Sequence, residues 1–260
     1  MKVQDILLRI DAIAPFRKAA DWDNVGLMIG DPRREVTRMG LSLDPLPEAV
    51  EEAVRNGCQC LLSHHPMFLQ PLRRIDLSTD LGKAIQTAIK AEIAVLSAHT
   101  NWDGAEGGVN SVLAERLELK AIAPLVLAED SVGGMGAVGD LTTVASLKDA
   151  LGIIKNAWGL TRLDYYGERD CSILRVALCG GSGGSLWPAA LKAKADLYVT
   201  ADVKYHDIVD CVRSKLNIAV VDHAEMESVA LLELARYLAI PGKLEVILLN
   251  YRALETPLHI

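Results

Sequence analysis

The sequence predicts an α/β protein whose mixed sheets are flanked by helices. Short apolar runs alternate with longer stretches in which apolar residues recur at helical spacing, and this alternation is typical of parallel or mixed sheets. Half of the 260 residues are hydrophobic and 23% are charged, so the chain can bury a core without disulfides, and intrinsic disorder is excluded. No apolar run reaches the roughly 18 residues that a transmembrane helix needs.

Local signals place the elements of the first half. The helical spacing that begins at Val3 stops before Pro15, Asp44-Pro45 ends the first strand, and Gly57 suits a helix terminus because glycine readily adopts a left-handed backbone. The predicted elements are a helix over 3–13, a strand over 39–43, a helix through 49–54, a strand over 58–62, a helix over 81–90 and a strand over 93–96.

The second half continues the alternation without repeating the sequence of the first. Its predicted elements are a strand over 135–138, a helix over 146–158, strands over 174–178, 197–200 and 218–221, a helix over 229–238 and a last strand over 244–249. We predict two lobes, one over 1–125, to which the C-terminal strand 243–250 can belong, and one over 126–260. Composition marks the boundary between them only weakly.

Charge and cysteine content narrow the class of protein. The formal net charge is −7, which disfavours direct nucleic-acid binding. The five cysteines are odd in number, and Cys58 and Cys60 have neither a redox nor a zinc-ribbon spacing, so we expect buried thiols in a reducing compartment. Asp5, Arg9 and Asp11 interrupt the apolar pattern of the N-terminal segment, which is therefore not expected to be a signal peptide. We therefore predict a cytoplasmic protein.

Polar residues that could carry chemistry lie just past the ends of the predicted strands, where open α/β sheets build their sites. His64-His65 follows one strand, Asp103 another, and His223 and Glu227 are spaced to share one face of a helix. Each has a simpler explanation: His223 and Glu227 as an exposed helix pair, one of the tandem histidines as a backbone hydrogen-bonding group, and Asp103 as a turn residue.

Together these five residues offer three imidazoles and two carboxylates. A structural zinc needs only four ligands, so five ligands that include carboxylates able to bridge suit two divalent ions with positions left for water. Nitrogen and oxygen donors without thiolate suit zinc, iron, manganese or nickel.

Other residues near these clusters each allow two interpretations. His99 and His206 can orient ligands or transfer protons as catalytic groups, or simply be hydrogen-bonded histidines at strand ends. Gly181, Ser182 and Gly183 can cradle a phosphate ahead of a helix near Ser185, although a tight turn explains them as well. His259, close to the C-terminus, has no predicted role. Trp22 can stack on a base or pack in the core.

Six blocks in order give the chain a family resemblance. They are Asp21–Leu27, Ser63–Pro66, His99–Asp103, Gly180–Gly183, Lys204–Asp207 and Asp222–Glu227. Over roughly residues 1 to 250 the chain resembles the Nif-three-like family, often described as type 2 GTP cyclohydrolase I. Two departures, Asp222 and Ala201, stand where the family often has glycine; neither changes a predicted ligand.

The resemblance implies a two-metal site built from His64, His65, Asp103, His223 and Glu227. It further implies two similar α/β lobes facing each other across that site, a ring-like homohexamer, and the short form without an inserted domain. The expected activity is a metal-dependent hydrolase that uses metal-activated water on a small, nucleotide-like substrate such as GTP. The alternative is a non-enzymatic metal-binding adaptor or metal-handling protein that acts through protein partners.

Overall fold

The computed structural model describes residues 1–129 and 132–249, and His259 lies outside them. The helices in this part of the chain are α1 (Val3–Ile13), α2 (Pro47–Arg55), α3 (Asp80–Lys90), α4 (Thr100–Asp103), α5 (Val109–Arg116), α6 (Leu147–Trp158), α7 (Trp187–Lys192), α8 (Tyr205–Arg213) and α9 (His223–Leu238). The strands are β1 (Gly26–Ile29), β2 (Arg38–Ser42), β3 (Cys60–Ser63), β4 (Ala94–Ser97), β5 (Lys120–Leu127), β6 (Gly134–Ser146), β7 (Leu163–Tyr166), β8 (Ser172–Leu178), β9 (Leu197–Thr200), β10 (Asn217–Val221) and β11 (Glu245–Leu248).

The chain divides into two compact units. Of the described residues, unit 1 contains Met1–Trp102 and 231–249, and unit 2 contains 103–129 and 132–230. The boundary predicted at residue 125 falls within β5, and all of β5 belongs to unit 2. None of the helices in the described ranges is both long and apolar enough to cross a membrane.

Unit 1 is built on a five-stranded mixed sheet in the order β1-β4-β3-β2-β11. The four strands from β4 to β11 run parallel, and β1 joins the edge antiparallel to β4. Every residue of β3 and β4 is buried, as expected for central parallel strands covered on both faces. The α2 and α3 helices bury apolar residues such as Val50 and Ile85 against this sheet.

Unit 2 is built on a six-stranded mixed sheet in the order β5-β6-β8-β9-β10-β7. The β8, β9 and β10 strands form a parallel centre, and the flanking strands are antiparallel. The α6 helix begins where the Ser146 hydroxyl accepts a hydrogen bond from the Asp149 amide and ends at Gly159 in the left-handed conformation. The predicted α/β class with two mixed sheets is therefore confirmed.

The structure corrects several sequence predictions. His99–Asp103 was predicted to be a loop, but Thr100–Asp103 forms the short helix α4. The polar block at Lys204–Asp207 opens helix α8, which was not predicted because its polar first turn resembles a loop. The strands β1, β5 and β7 were also missed, since they lie at or next to sheet edges where burial is incomplete and the apolar signal is weak.

Candidate metal centre

The tandem histidines of unit 1 are positioned by the register of its parallel strands. Ser42, Ser63 and Ser97 are paired side by side at the ends of β2, β3 and β4. The Ser63 hydroxyl donates to the His65 carbonyl at 2.7 Å, and the Ser97 hydroxyl donates to the His64 carbonyl at 3.0 Å. Two buried hydroxyl groups, at the ends of β3 and β4, therefore fix the backbone that carries the imidazoles.

Three imidazole rings meet at this edge of the sheet. The ring centroids of His64 and His65 are 5.1 Å apart, and His99 lies 5.2 Å from the first and 5.5 Å from the second. One ring nitrogen from each histidine lies within 4.8 Å of the other two. The structure thus brings together two predicted ligands and one residue predicted to act beside them.

Each of these imidazoles is held through Nδ1 by an oxygen. The pairs are His64 with the Ala98 carbonyl at 2.9 Å, His65 with the Asp44 carboxylate at 2.7 Å and His99 with the Asp23 carboxylate at 2.9 Å. A carbonyl or carboxylate can only accept, so Nδ1 carries the hydrogen in each ring. In the neutral form of such a ring the lone pair is on Nε2, the arrangement found when a histidine binds a metal through that nitrogen.

Asp23 is the most enclosed of these acceptors. Its side chain is fully buried, and it accepts from His99 Nδ1, from the Thr100 amide and from the Thr100 hydroxyl. Burial opposes ionisation, but these hydrogen bonds outweigh it and hold the pKa of Asp23 below its ordinary value. The neighbouring Trp22 is 57% exposed and meets His99 edge to face with centroids 5.9 Å apart.

In unit 2, His223 is likewise positioned at the ends of parallel strands. The β8, β9 and β10 strands end next to one another, and Asp202 and His223 follow two of them. Asp202 Oδ2 lies 2.7 Å from His223 Nδ1 and accepts a 2.6 Å hydrogen bond from the Ser182 hydroxyl. Asp202 adopts a positive φ of 51°, which is uncommon for a residue with a side chain and brings its carboxylate to this position.

One buried carboxylate, that of Glu227, lies beside His223, and a second, that of Asp103, lies near Glu227. Glu227 Oε2 is 2.9 Å from His223 Nε2, and one carboxylate oxygen of Asp103 lies within 4.8 Å of one of Glu227. Burial by itself would lower the pKa of His223, but Glu227 and then Asp202 raise it to about 9. The Cys179 thiol has a pKa raised first by burial and then by the negative charges of Asp103 and Glu227. Three carboxylates, those of Asp103, Asp202 and Glu227, therefore lie around or near one imidazole, and even a protonated His223 leaves negative charge that a metal cation would neutralise.

The glycine-rich loop after β8 packs directly against this group. Gly181 has φ +64°, and a Cβ atom placed there would overlap Oε1 of Glu227 and lie 3.3 Å from Cε1 of His223. The Gly180 amide donates to Asn110 Oδ1, and Asn110 Nδ2 donates in turn to the Asp103 carbonyl. This loop supports the candidate ligands. The predicted phosphate site at Gly181, Ser182 and Gly183 stays a prediction. The helix predicted near Ser185 is present as a 3-10 turn over Gly184–Leu186 followed by α7.

The donors in both units fit divalent ions. Unit 1 supplies neutral imidazole nitrogens and unit 2 supplies an imidazole and two carboxylates, with no thiolate among them. His206 is exposed at the start of α8, where its ring meets Tyr205, and it belongs to neither group among the residues described. The proton-transfer roles predicted for His99 and His206 stay predictions.

Sequence reasoning missed the carboxylates that hold the imidazoles. Asp44 follows β2 and Asp202 follows β9, so the strand-end rule that selected the histidines would also have selected these aspartates. From the sequence, Asp44 was interpreted only as the end of a strand, and Asp202 was not singled out. Asp23 follows no predicted strand, and its contact with His99 spans 76 residues of sequence. Only the fold could reveal that contact.

Comparison with known proteins adds family information to this geometry. The model of the family described as Duf34/NIF3 (NGG1p interacting factor 3) matches residues 1–253. A Clostridium perfringens protein named "GTP cyclohydrolase 1 type 2 homolog" is 37% identical over 228 residues, covering 87% of each chain.

Solved structures share the fold. A Bacillus cereus protein described as related to NIF3 has a TM-score of 0.90 at 21% identity, covering 100% of this chain and 99% of its own. A Staphylococcus aureus hypothetical protein has a TM-score of 0.89 at 27% identity, covering 99% of each chain. At 21% identity, the likeness to the Bacillus cereus protein concerns the fold alone.

Proposed function

Because the chain belongs to the Duf34/NIF3 family, we propose that it binds two divalent metal ions and acts as a metal-dependent hydrolase on a small, nucleotide-like substrate. The proposed ligands are His64, His65, Asp103, His223 and Glu227. Zinc, iron, manganese and nickel all suit this mixture of nitrogen and oxygen donors.

The observation that carries the proposal is the pair of buried carboxylates in unit 2. Asp103 is 8% exposed and Glu227 is 3% exposed, and their oxygens approach within 4.8 Å. Two like charges removed from water at this separation are costly unless a cation or a proton offsets them. A divalent ion supplies that charge, and the imidazoles with Nε2 lone pairs supply the neutral donors that such ions accept.

Neighbouring carboxylates orient the proposed histidine ligands and make them more basic. Asp44 and Asp202 hold His65 and His223 by Nδ1, which fixes the ring orientation and makes the other nitrogen more basic. Bound divalent ions act as Lewis acids that lower the pKa of water and stabilise negative charge developing on oxygen. Because Gly181 has no side chain, the Glu227 carboxylate has room to occupy its observed position.

The substrate class is supported by the relatives and by one exposed side chain. The Clostridium perfringens relative is named for GTP cyclohydrolase 1 type 2, so GTP is the first substrate to test. Trp22 presents an exposed aromatic face next to His99, and such a face can stack on a planar heterocycle. His99 and His206 stay the proposed proton-transfer groups. The phosphate groups of such a substrate are proposed to meet Gly181, Ser182 and Gly183.

Metal content tests the first part of the proposal. Native protein should contain about two ions per chain by elemental analysis, and His64→Ala should lose most of this metal. His206→Ala is the matched control, because it removes an exposed histidine outside the proposed ligand set. A wild-type protein that takes up no ion when dialysed against zinc, iron(II), manganese or nickel would overturn the proposal.

Turnover tests the second part. Metal-loaded protein is incubated with GTP and with other nucleotides, and opening of the purine ring is followed by ultraviolet absorbance. Activity that disappears in His64→Ala and Asp103→Ala, while both variants stay folded and assembled, supports the hydrolase. Full metal content without turnover on nucleotides, phosphoesters or amides would instead favour the metal-binding adaptor, which acts through protein partners.

Assembly and location complete the proposal. We expect a homohexameric ring in the cytoplasm. The β5 strand lies at the edge of its sheet and exposes apolar side chains, including Ile122 and Leu127, which suits a subunit contact. The cysteines are free thiols, mostly buried, which suits a reducing compartment. Mass measurement by light scattering tests the hexamer directly.

A further inference from the structure

We propose that two different surfaces of this chain bind each other between copies: a basic loop over residues 67–77 of one copy docks in an acidic groove of unit 2 of the next. This inference rests on the homohexamer of the proposed function, for which it names a contact. Neither surface includes a proposed metal ligand. Because each copy offers its loop to one neighbour and its groove to another, repetition of the contact can close a ring.

The acidic groove lies in unit 2 between the start of α5 and the hairpin of β5 and β6, and its cavity volume is about 420 Å³. The charged side chains among its lining residues are those of Glu106 and Glu115, which are both exposed. The apolar side chains of Ile122, Leu127 and Val132 line it as well and are also exposed. An occupant that fits the groove therefore combines apolar side chains with positive charge.

The basic loop begins shortly after the tandem histidines and precedes α3. It exposes large apolar side chains at four closely spaced positions, Leu69, Leu72, Ile75 and Leu77. Single exposed apolar residues are common on protein surfaces, but a contiguous group marks an interaction surface. The loop therefore offers apolar area of the kind that the acidic groove leaves open to solvent.

The positive charge of the loop comes from Arg73 and Arg74. Both are exposed, and within the described ranges neither has an ion pair or a side-chain hydrogen bond. Asp76 carries the negative charge of the loop, but its carboxylate accepts from the Ser78 amide at 2.9 Å and from the Ser78 hydroxyl at 2.6 Å. The chain has a formal net charge of −7, so like charge opposes the association of copies, and an unpaired cationic segment is suited to meet the carboxylates of a neighbour.

The loop is held at both ends, so it presents these side chains in a fixed arrangement. At its start, Asn24 Nδ2 donates to the Phe68 carbonyl at 2.8 Å. At its end, the Thr79 hydroxyl donates to the Asp76 carbonyl at 2.8 Å, and Gly82 packs so closely that a Cβ atom there would overlap this carbonyl. Less conformational entropy is then lost on docking than a free loop would lose.

Charge reversal tests the contact on both sides. The loop variant carries Arg73→Glu and Arg74→Glu, and the groove variant carries Glu106→Lys and Glu115→Lys. Each should raise the protein concentration at which the hexamer dissociates at least roughly tenfold, because like charges then face each other in the contact. A variant with all four changes restores opposite charges and should recover most of the wild-type assembly. Light scattering and sedimentation velocity over a dilution series measure these masses.

Lys90→Glu with Lys148→Glu is the matched control for the loop variant. It changes the net charge by the same amount at two exposed residues outside both surfaces, so it should leave the assembly unchanged. Circular dichroism confirms that every variant is folded. The metal content of each variant is measured beside its mass, and it should match that of wild type because neither surface contains a proposed ligand.

The outcomes separate this inference from the proposed function. Wild-type protein that stays monomeric overturns the proposed hexamer and this inference with it, while the metal-binding and hydrolase proposals stand. A wild-type hexamer whose dissociation is unchanged in the loop variant or in the groove variant overturns the inference alone. So does a control variant that dissociates as readily as the loop variant. A folded variant with all four changes that stays dissociated does the same, since it shows that the loop and the groove do not meet each other.

Discussion

Replacing Gly181 with alanine should damage the metal centre more than it damages the fold. A methyl group at this position would overlap Oε1 of Glu227 and approach Cε1 of His223, so the carboxylate must move away from its present position. The change also places a side chain on a residue with φ +64°, which costs about 1–2 kcal/mol for an L-residue in the left-handed region.

Gly57→Ala provides a matched control for the backbone cost. Gly57 has φ +68°, and nothing lies within 4 Å of a Cβ atom built there. Both variants should therefore lose a similar 1–2 kcal/mol of unfolding free energy in urea when metal-free. Gly181→Ala alone should also bind metal roughly 10- to 100-fold more weakly, because it displaces a ligand.

Competition with a chromophoric chelator measures this affinity in wild type and in both variants. A Gly181→Ala protein that binds metal as tightly as wild type would refute the reasoning, since it would show that the position of the Glu227 carboxylate does not matter for the ion. A Gly57→Ala protein that loses metal affinity to the same extent would point instead to a general effect of destabilisation.

Three further predictions concern the ligand supports, the metal and the thiols. Asp202→Asn should weaken metal binding about tenfold by chelator competition, because His223 loses the charge behind its Nδ1; unchanged affinity would contradict this role. Zinc at 100 times its dissociation constant should raise the unfolding free energy by about 2.7 kcal/mol for each ion site, measured as a higher urea midpoint; His64→Ala should lose part of that gain. A thiol reagent at pH 8 should modify only Cys171 quickly in native protein. Burial raises the pKa of Cys58 to about 11, so its reactive thiolate should appear only as the pH rises toward that value, and rapid labelling of several thiols would refute this.

The sequence predicted the class of fold because the relevant signals are local. Hydrophobic spacing located α1 at Val3–Ile13 and β9 at Leu197–Thr200 with their observed bounds. Edge elements such as β1 were missed because half-exposed strands lack a clear apolar pattern. The helix at Tyr205–Arg213 was missed because its polar first turn resembles a loop.

The same local reasoning found the candidate ligands but not the oxygen atoms that accept a hydrogen bond from each imidazole. Polar residues after buried strands are visible in the sequence, and this rule selected His64, His65 and His223. The acceptor for each imidazole depends on which strand lies beside it, as when the β2 and β3 register brings Asp44 to His65 across 21 residues.

What the sequence determined by itself was therefore the list of strands, helices and strand-end side chains, since these follow from periodicity and turn chemistry along the chain. Only the tertiary structure decided that Asp23 meets His99 and that Gly181 must be small beneath Glu227. The physical reason is that strand pairing and close packing join residues far apart in sequence, and the hydrogen bonds that set the tautomer of each imidazole form only there.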